Sequence, residues 1–420
     1  SLHEGVPRAC IAVKMRIDAE GSKIGHSFHR GLMRSPAALN YEEVQAAIDG
    51  APTERTADLV APVLTPLFAA YGALKRARAL RQPLDLDLPE RKIVLSEAGE
   101  VVSVDHKERL DAHRLIEEFM ILANVAAAET LAAKRTPLLY RVHEEPDPEK
   151  LDALRETAEA AGLTLAKGQV LKTAHLNRLL HQAAETEDSE LISMATLRSM
   201  QQAYYFPENF GHFGLSLRAY AHFTSPIRRY ADLIVHRALI SAHGWGEDGL
   251  RREDIETLEA TAKHISETER RSMAAERDTT DRYLAAFLAD RVGAEIGGRI
   301  SGISRGAVFV KLDETGADGL IPLRDLGAEY FHYDRDRQSL MGAETGTEIR
   351  LGQRVTVRLR EVTPVTGGVL LDLVDLAGEA LPGGRGRPGG RPRGKPVRKK
   401  PAVAARKAGK TARKVKRTRR

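Results

Sequence analysis

The spacing of apolar residues changes at Arg291, and this change divides the chain into two parts that must fold differently. Before Arg291 the apolar residues recur at helical intervals, over about 57–80, 105–135, 148–161, 171–184, 188–202 and 252–290. After it, "VGAEIGGRISGISRGAVFVKL" and "QRVTVRLREVTPVTGGVLLDLV" alternate apolar and polar residues between glycine turns. Five short strands in about 85 residues predict a small barrel of the OB type. The predicted fold class is therefore α+β, a helix-rich part followed by a five-stranded barrel.

Two further elements are expected near the start of the chain. Residues 8–33 alternate apolar and polar side chains around "AEGS", which predicts a hairpin. "NYEEVQAAIDG" predicts a short helix, with Asn40 as its N-cap, Glu43 completing a capping box and Gly50 past its end. Because the chain opens on a strand without an initiator Met, we expect the downstream part of a longer protein. Removal of a Met before Ser1 is the alternative.

Positive charge is concentrated at the end of the chain. Residues 381–420 carry 17 of the 64 Lys and Arg and no acid, which leaves 47 basic residues against 58 acids, a net −11, in residues 1–380. The segment is rich in Gly, Pro and Ala, so we expect residues 377–420 to be a disordered basic tail. Its chemistry favours a non-specific grip on nucleic-acid phosphates. A solvated solubility tail is the alternative.

The cysteine count and the hydropathy limit the class of protein. Cys10 is the only cysteine in the sequence, which excludes a disulfide framework and a multi-cysteine zinc site. A single thiol suits a reducing cytosol, so we expect a cytoplasmic protein. No apolar run approaches the ~18 residues of a membrane span and no signal peptide is visible, so we expect no membrane partner.

The segment "AHFTSPIRRYADLIVHRAL" is typical of a helix that carries two arginines at its positive end. Ser225 suits the N-cap and the proline after it suits the first helical position, which places Arg228 and Arg229 in the first turn. The helix dipole disfavours each cation there by roughly 0.3–1 kcal/mol. Together with the hydroxyls of Thr224 and Ser225, the two arginines can form a phosphate cradle. Pairing of both arginines with Asp232 is the alternative.

Aromatic residues are concentrated around the start of this segment. Residues 204–230 contain eight aromatics in 27 positions, whereas the whole chain has 5%. They are Tyr204, Tyr205, Phe206, Phe210, Phe213, Tyr220, Phe223 and Tyr230. Rings interleaved with basic residues provide stacking surfaces for single-stranded nucleic acid. We expect about half of them to be ordinary core, and Tyr230 to be a candidate RNA-binding residue.

A second candidate lies in "RRSMAAERDTTDRYLAAFL". At helical spacing Glu276 falls within ~20° of Ile265 and Phe287, which places a carboxylate on an apolar face. A buried carboxylate needs a partner, and Arg228 or a bound substrate group would supply it. A partly solvated acid at the edge of a groove is the alternative.

The predicted barrel contributes three further candidates. OB barrels bind oligonucleotides on one face through stacked rings, and Phe309, Phe331 and His332 could serve this purpose. The glycines of this region match neither a P-loop nor a dinucleotide fingerprint. The histidines of the chain show no metal-ligand spacing, so no metal ligand is assigned.

The stretch "RSMQQAYYFPENFGHFGLSLRAYAHFTSPIRRYADLIVHRAL" closely resembles the ribonuclease II/ribonuclease R (RNB) family, its ribonuclease R branch in particular. "HRLIEEFMILANVAAAETLA" is similar to the central helix of that family. On this resemblance, residues 1–290 are the C-terminal portion of the RNB catalytic domain and residues 291–376 are its S1 RNA-binding domain. Residues 377–420 are similar to the basic tail of the ribonuclease R branch. The resemblance covers essentially the whole chain.

The resemblance implies a magnesium-dependent 3′→5′ exoribonuclease that degrades RNA processively to nucleoside 5′-monophosphates. Its partner would be the 3′ end of single-stranded RNA, with structured RNA and ribosome-associated RNA as further candidates and no DNA. By motif match, Arg228 would contact the scissile phosphate and Glu276 would lie beside it. Both are the residues that spacing and charge had already selected.

The sequence departs from the family in the metal centre. The family's metal-binding aspartates form a D-x5-D-x-D-D run, which is absent here and whose place would lie upstream of Ser1. The ligands of the implied Mg²⁺ are therefore expected off this chain. Since two-metal hydrolysis needs carboxylates, we expect residues 1–420 alone to be inactive or nearly so. A non-catalytic RNA-binding protein on the same scaffold is the alternative, and a DNA-binding protein is a weaker one.

Overall fold

The computed structural model describes residues 2–86, 91–106, 108–168, 170–186, 188–327, 329–334 and 339–379. They belong to one compact unit that spans Ser1–Gly384. The basic tail expected for residues 377–420 lies outside the described residues from position 380 onward.

The described part contains both helices and strands, as the predicted fold class requires. The helices are α1 (Tyr41–Ile48), α2 (Ala57–Leu59), α3 (Thr65–Arg81), α4 (Asp111–Ala133), α5 (Pro148–Ala160), α6 (Thr173–Ala184), α7 (Ser189–Ser199), α8 (Tyr230–His243), α9 (Arg252–Glu256) and α10 (Leu258–Leu288). The strands are β1 (Pro7–Ile17), β2 (Lys23–Arg34), β3 (Arg91–Leu95), β4 (Val101–His106), β5 (Tyr140–Val142), β6 (Tyr204–Phe206), β7 (Glu295–Ile303), β8 (Ala307–Leu312), β9 (Asp318–Pro322), β10 (Phe331–Asp334), β11 (Ser339–Gly342), β12 (Glu348–Ile349), β13 (Arg354–Thr363) and β14 (Gly368–Leu376).

The N-terminal elements confirm the local sequence signals. Strands β1 and β2 form an antiparallel hairpin, in the place predicted by the alternation of residues 8–33. Helix α1 begins after Asn40, whose side chain accepts the Glu43 N–H at 2.8 Å while the Glu43 carboxylate accepts the Asn40 N–H at 3.1 Å. This is the predicted capping box, which forms because both partners lie within one helical turn.

The region between α1 and α4 differs from the sequence expectation. Helix α4 begins at Asp111 rather than near 105, because Val101–His106 pairs with Arg91–Leu95 as an antiparallel hairpin. The segment Ala57–Arg81 combines α2, a π-helical turn at Val60–Leu64 and α3. An 18-residue window of it has a mean hydropathy of 1.5 and is 22% buried, so by length and composition alone it could cross a membrane. The sequence shows no uninterrupted apolar run here, because small and polar residues lie between the apolar ones.

The helical part is held by an alanine-rich face of α4. Ala126, Ala127 and Ala128 are fully buried, and their small side chains let the β1–β2 hairpin and α8 pack closely against the helix. Phe28 of β2 and Phe223, which precedes α8, meet over this face in an edge-to-face contact at 5.4 Å. The loop before α8 is thereby fixed to the central helix.

Residues after 291 form the predicted barrel. It is closed by five strands in the order β13-β14-β9-β8-β7, with antiparallel neighbours except for the parallel contact between β14 and β9. A separate three-stranded sheet, β10-β11-β12, lies between β9 and β13 in the chain and was not predicted. Leu284, Ala285 and Leu288 at the end of α10 are part of the barrel core, so this long helix joins the two parts.

Candidate functional site

The residues around Arg228 form a turn that precedes the helix. Helix α8 begins at Tyr230, and Arg229 is its N-cap residue, so the prediction of a helix start at Ser225 was wrong. The backbone N–H groups of Arg228 and Arg229 both donate to the Ser225 carbonyl, at 3.2 and 3.0 Å. Asp232 in the first turn of α8 accepts the Ser225 N–H at 2.7 Å. This tertiary contact folds the segment back over the helix start.

Arg229 is engaged inside the protein. Its guanidinium donates to both oxygens of Asp232, each at 2.8 Å, and Asp232 is fully buried. Burial alone would lower the pKa of Arg229, but the hydrogen bonds and the charge of Asp232 raise it above its usual value. The expectation that Arg229 contacts RNA is therefore corrected, since this fork already holds a carboxylate.

Arg228 has the opposite environment. Its side chain is exposed and makes no hydrogen bond or ion pair among the described residues, with Ile227 75% and Tyr230 49% exposed beside it. The neighbouring Thr224 places its Oγ1 where it is buried without a hydrogen-bond partner. The turn therefore presents one free guanidinium, a group that binds a phosphate. The buried hydroxyl of Thr224 is closed to such a ligand, which is at odds with the prediction that Thr224 binds RNA. Ser225 is half-buried and contributes its backbone to the turn.

A buried polar network lies directly behind the turn. Asn124 of α4 accepts the Phe223 N–H and donates to the Tyr220 hydroxyl, both at 2.9 Å. The Tyr205 hydroxyl lies 2.8 Å from His222 Nδ1. Burial, followed by the positive charge of the nearby arginines, lowers the pKa of His222 to about 2, and burial raises that of Tyr205 to about 12. These groups stay neutral near pH 7, so they support the turn without opposing its charge.

Glu276 lies on an uncovered section of α10. Its side chain is exposed and, among the described residues, forms no ion pair with Arg228 or any other group. The same helix face is buried near its start at Leu258 and near its end at Leu284, whereas Met273 between them is 60% exposed. Of the two alternatives for Glu276, a buried partner of Arg228 or a solvated acid, the structure agrees with the solvated acid, because no described residue covers that section of α10.

The barrel places its three candidates differently. Phe309 on β8 is 40% exposed, and its ring is available at the surface. Phe331 is 4% exposed within the barrel core, so the expectation that it stacks on RNA is corrected. His332 is exposed and meets Tyr330 edge-to-face at 4.9 Å. Tyr330, which directly precedes Phe331 in the chain, is 71% exposed and was not among the predicted RNA-binding residues.

The described residues do not provide a magnesium site. No group of three or more His, Cys, Asp or Glu side chains is arranged to hold a metal ion within the described ranges. Two carboxylates of the helical part are already paired with arginines, since Asp232 binds Arg229 and Glu269 binds Arg141 at 2.6 Å. The described residues therefore do not fit the magnesium ion that the family resemblance implies.

Comparisons with known proteins agree on one family. The model of the RNB domain matches residues 1–243, and that of the S1 RNA binding domain matches residues 289–373. The chain belongs to the RNB family. Ribonuclease R of Escherichia coli is 37% identical over 372 residues, which cover 86% of this chain and 46% of that protein. Ribonuclease R of Aquifex aeolicus is 35% identical over 377 residues, covering 89% and 53%. The chain therefore spans about half the length of the curated relatives that it matches.

Solved structures share the RNB fold. Apo RNase R of Mycoplasma genitalium has a TM-score of 0.83 and 25% identity, covering 89% of this chain and 59% of that one, and its complex with ribose-methylated single-stranded RNA has the same values. Yeast Ssd1, described as a pseudonuclease, has a TM-score of 0.60 and 17% identity over 86% of this chain and 43% of its own. The second likeness concerns the fold alone.

Proposed function

We propose that this chain is the RNA-binding part of a cytoplasmic, magnesium-dependent 3′→5′ exoribonuclease. The enzyme releases nucleoside 5′-monophosphates processively. Its substrate is the 3′ end of single-stranded RNA, with structured and ribosome-associated RNA as further substrates and no DNA. Membership of the RNB family, relatives named Ribonuclease R and an S1 domain support this function. The related RNase R structures with single-stranded and double-stranded RNA support RNA as the partner.

The observation that carries the proposal is the contrast between two adjacent arginines. Arg229 is locked to the buried Asp232, while Arg228 is exposed and unpaired among the described residues. The pairing of Arg229 with Asp232 holds the turn in place. The exposed Arg228 on this turn is therefore suited to bind a phosphate at a fixed position. Arg228 binds that phosphate, and its positive charge stabilises the negative charge that develops there during cleavage.

The chain alone does not cleave RNA under this proposal. The sequence lacks the family's aspartate run, and the described residues hold no group of metal-binding side chains. Arg228 can neutralise charge but cannot generate the attacking hydroxide. A non-catalytic RNA-binding role is the second candidate. The lack of a metal-binding group among the described residues favours it. The two candidates are distinguished by joining a segment that carries the D-x5-D-x-D-D run to this chain and measuring whether RNA is cleaved.

Binding of fluorescent oligo(A) to residues 1–420 tests the RNA role of Arg228. Arg228→Ala should weaken binding about tenfold, which corresponds to ~1.4 kcal/mol, and should reduce the salt dependence by about one phosphate contact. Arg135→Ala removes an exposed arginine elsewhere and controls for net charge. Equal RNA affinities of the Arg228→Ala and Arg135→Ala variants would show that Arg228 does not contact the RNA. Magnesium-dependent release of AMP from poly(A) by the unmodified chain would overturn the proposed inactivity.

A further inference from the structure

One amide side chain on the buried face of α4 contacts the segment that leads to the Arg228 turn. Asn124 is 2% exposed and lies one helical turn before the fully buried Ala127 and Ala128. Glu118, the other buried polar residue of α4, is paired with an arginine at 2.9 Å. A buried amide in such an apolar setting is costly unless its hydrogen bonds are formed, so its partners show what Asn124 holds in place.

Asn124 supplies the acceptor that the backbone of Phe223 needs. Residues 219–223 have no regular secondary structure, so their N–H groups depend on partners outside a strand or helix of their own. The Phe223 N–H donates to Asn124 Oδ1 at 2.9 Å, and no backbone carbonyl of the described residues accepts it. Phe223 is 5% exposed, so water does not replace this acceptor. Loss of the amide therefore leaves a buried N–H unsatisfied or moves the segment.

Phe223 is a fixed point between three elements. Its ring stacks on that of His236 of α8 at 4.6 Å and meets that of Phe28 of β2 edge-to-face at 5.4 Å. Its carbonyl accepts the His236 Nε2–H at 2.8 Å. Because its N–H is bound to Asn124, the position of Phe223 is set by α4, α8 and the β1–β2 hairpin together.

The short stretch from Phe223 to Arg228 is attached to two different helices. Asp232 of α8 accepts the Ser225 N–H at 2.7 Å, and the Ser225 carbonyl accepts the Arg228 N–H at 3.2 Å. Asn124 attaches the start of the stretch to α4. Since the turn is internally hydrogen-bonded and only five residues long, a displacement of Phe223 is passed on to Arg228.

The donor end of the same amide is engaged as well. Asn124 Nδ2 donates to the Tyr220 hydroxyl at 2.9 Å, and Tyr220 is 7% exposed. Contacts at both ends of the amide fix its rotation, so its oxygen stays directed at Phe223. A leucine has a similar volume but offers neither contact, so the contribution of Asn124 is geometric rather than apolar.

We propose that Asn124 is a positioning residue for Arg228, which fixes the place of that guanidinium relative to α4 through the backbone of Phe223. The inference rests on the proposed RNA-binding role of Arg228 and adds a buried residue that does not itself touch RNA. A binding group is placed only as well as the side chains that support it, and a shift of about 1 Å is enough to weaken a site.

A double-mutant cycle on the full chain tests this role through the binding of fluorescent oligo(A). Asn124→Ala should weaken binding about fivefold, whereas the same substitution in the Arg228→Ala protein should weaken it no further, because the two residues act as one unit. A merely structural role would weaken binding in both proteins. Hydrogen exchange should also show faster exchange of the Phe223 amide in Asn124→Ala, since that amide loses its acceptor.

Gln45→Ala is the matched control. Gln45 Oε1 accepts the Ala112 N–H at 3.0 Å at the start of α4, so this substitution removes a contact of the same kind away from the turn. It should leave both the RNA affinity and the exchange of the Phe223 amide unchanged.

Tyr220→Phe is a milder second variant for the case that Asn124→Ala does not fold, which urea unfolding followed by Trp245 fluorescence would show. It removes the hydroxyl that accepts Asn124 Nδ2 and keeps the bond to the Phe223 N–H. It should weaken oligo(A) binding about twofold, and again only in the protein that retains Arg228.

The outcomes separate this inference from the proposed function. Equal weakening by Asn124→Ala with and without Arg228 would overturn the positioning role and leave the proposed function standing. Unchanged affinity of the folded Asn124→Ala and Tyr220→Phe variants would do the same. If Arg228→Ala binds oligo(A) as tightly as the unmodified chain, both the positioning role of Asn124 and the proposed role of Arg228 are overturned.

Discussion

The barrel and the helical part of this chain differ in how far they bury their apolar surface. The barrel closes five strands on themselves, and its core buries Phe331 and fully buries Val310, Leu312 and Ile321. In the helical part, α10 is buried at both ends and uncovered around Met273 and Glu276. A closed sheet has no free edge, whereas a helix face must be covered by another element. The candidate site lies in the part that leaves surface open.

The largest expected effect distinguishes the core ring of the barrel from its surface ring. Phe331→Ala should lower the free energy of unfolding of the barrel by about 3–5 kcal/mol, because it leaves a cavity in a closed core. Phe309→Ala, at a 40% exposed position, is the control and should change it far less. Hydrogen exchange of the β7 and β8 amides measures both. Similar losses for the two variants would contradict the assignment of Phe331 to the core.

The second prediction concerns the buried ion pair of the helical part. Asp232→Ala should lower the free energy of unfolding by about 3 kcal/mol, since it leaves Arg229 partly buried without its partner and frees the Ser225 N–H. Trp245, the only tryptophan, packs against the alanine-rich core and reports urea unfolding of this part by fluorescence. Arg228→Ala, four residues away, is the control and should change the stability by less than about 0.5 kcal/mol. A stable Asp232→Ala variant would mean that the turn is held by other contacts.

The third prediction concerns the pH dependence of the stability of the helical part. Burial lowers the pKa of His212 to about 3 and that of His222 to about 2, whereas the unfolded chain takes up these protons near pH 6.5. Stability of the helical part is therefore present above pH 6.5 and is lost on acidification, by about 1.4 kcal/mol per pH unit for each histidine. Urea unfolding followed by Trp245 between about pH 7 and pH 5 measures the slope.

His222→Asn should reduce this slope, and His332→Asn, at an exposed position of the β10-β11-β12 sheet, should leave it unchanged. Carboxylates titrate in the lower part of the range in all three proteins, so the comparison between variants isolates the histidine. An identical slope for His222→Asn and the unmodified chain would indicate that His222 is accessible to protons.

The smallest expected effect is that of an exposed ion pair in the barrel. Arg291 donates to both oxygens of Glu314 at 2.8 Å, but the Glu314 side chain is 54% exposed. Glu314→Gln should therefore lower the free energy of unfolding by less than about 1 kcal/mol, because solvent screens the pair. Thermal unfolding measured beside Asp232→Ala tests the contrast. An equal loss would show that burial does not decide the strength of these two pairs.

Local signals in the sequence predicted the elements whose partners are close along the chain. The Asn40–Glu43 capping box, the β1–β2 hairpin and the five barrel strands are confirmed, since each depends on neighbouring residues or on alternation within a strand. The short pair β5 and β6 was missed because three-residue strands carry too little pattern. The sheet β10-β11-β12 was missed for a similar reason.

The candidate site was only partly predictable. Sequence selected Arg228 and Arg229 together, and local spacing allowed both a phosphate cradle and pairing with Asp232. The structure divides the two outcomes, because the buried carboxylate accepts Arg229 and the Ser225 N–H and leaves Arg228 outside. Periodicity likewise aligned Glu276 with the apolar face of α10, but burial depends on what packs there.

The sequence by itself determined the two-part organisation, the family and the identity of the charged and aromatic residues, because spacing and motifs are properties of the chain. Tertiary structure alone decided which of the two arginines pairs with Asp232 and whether Phe309 or Phe331 is buried. The physical reason is that burial and hydrogen-bond partners are set by residues far apart in sequence, and no local pattern encodes which of two equal side chains such a partner takes.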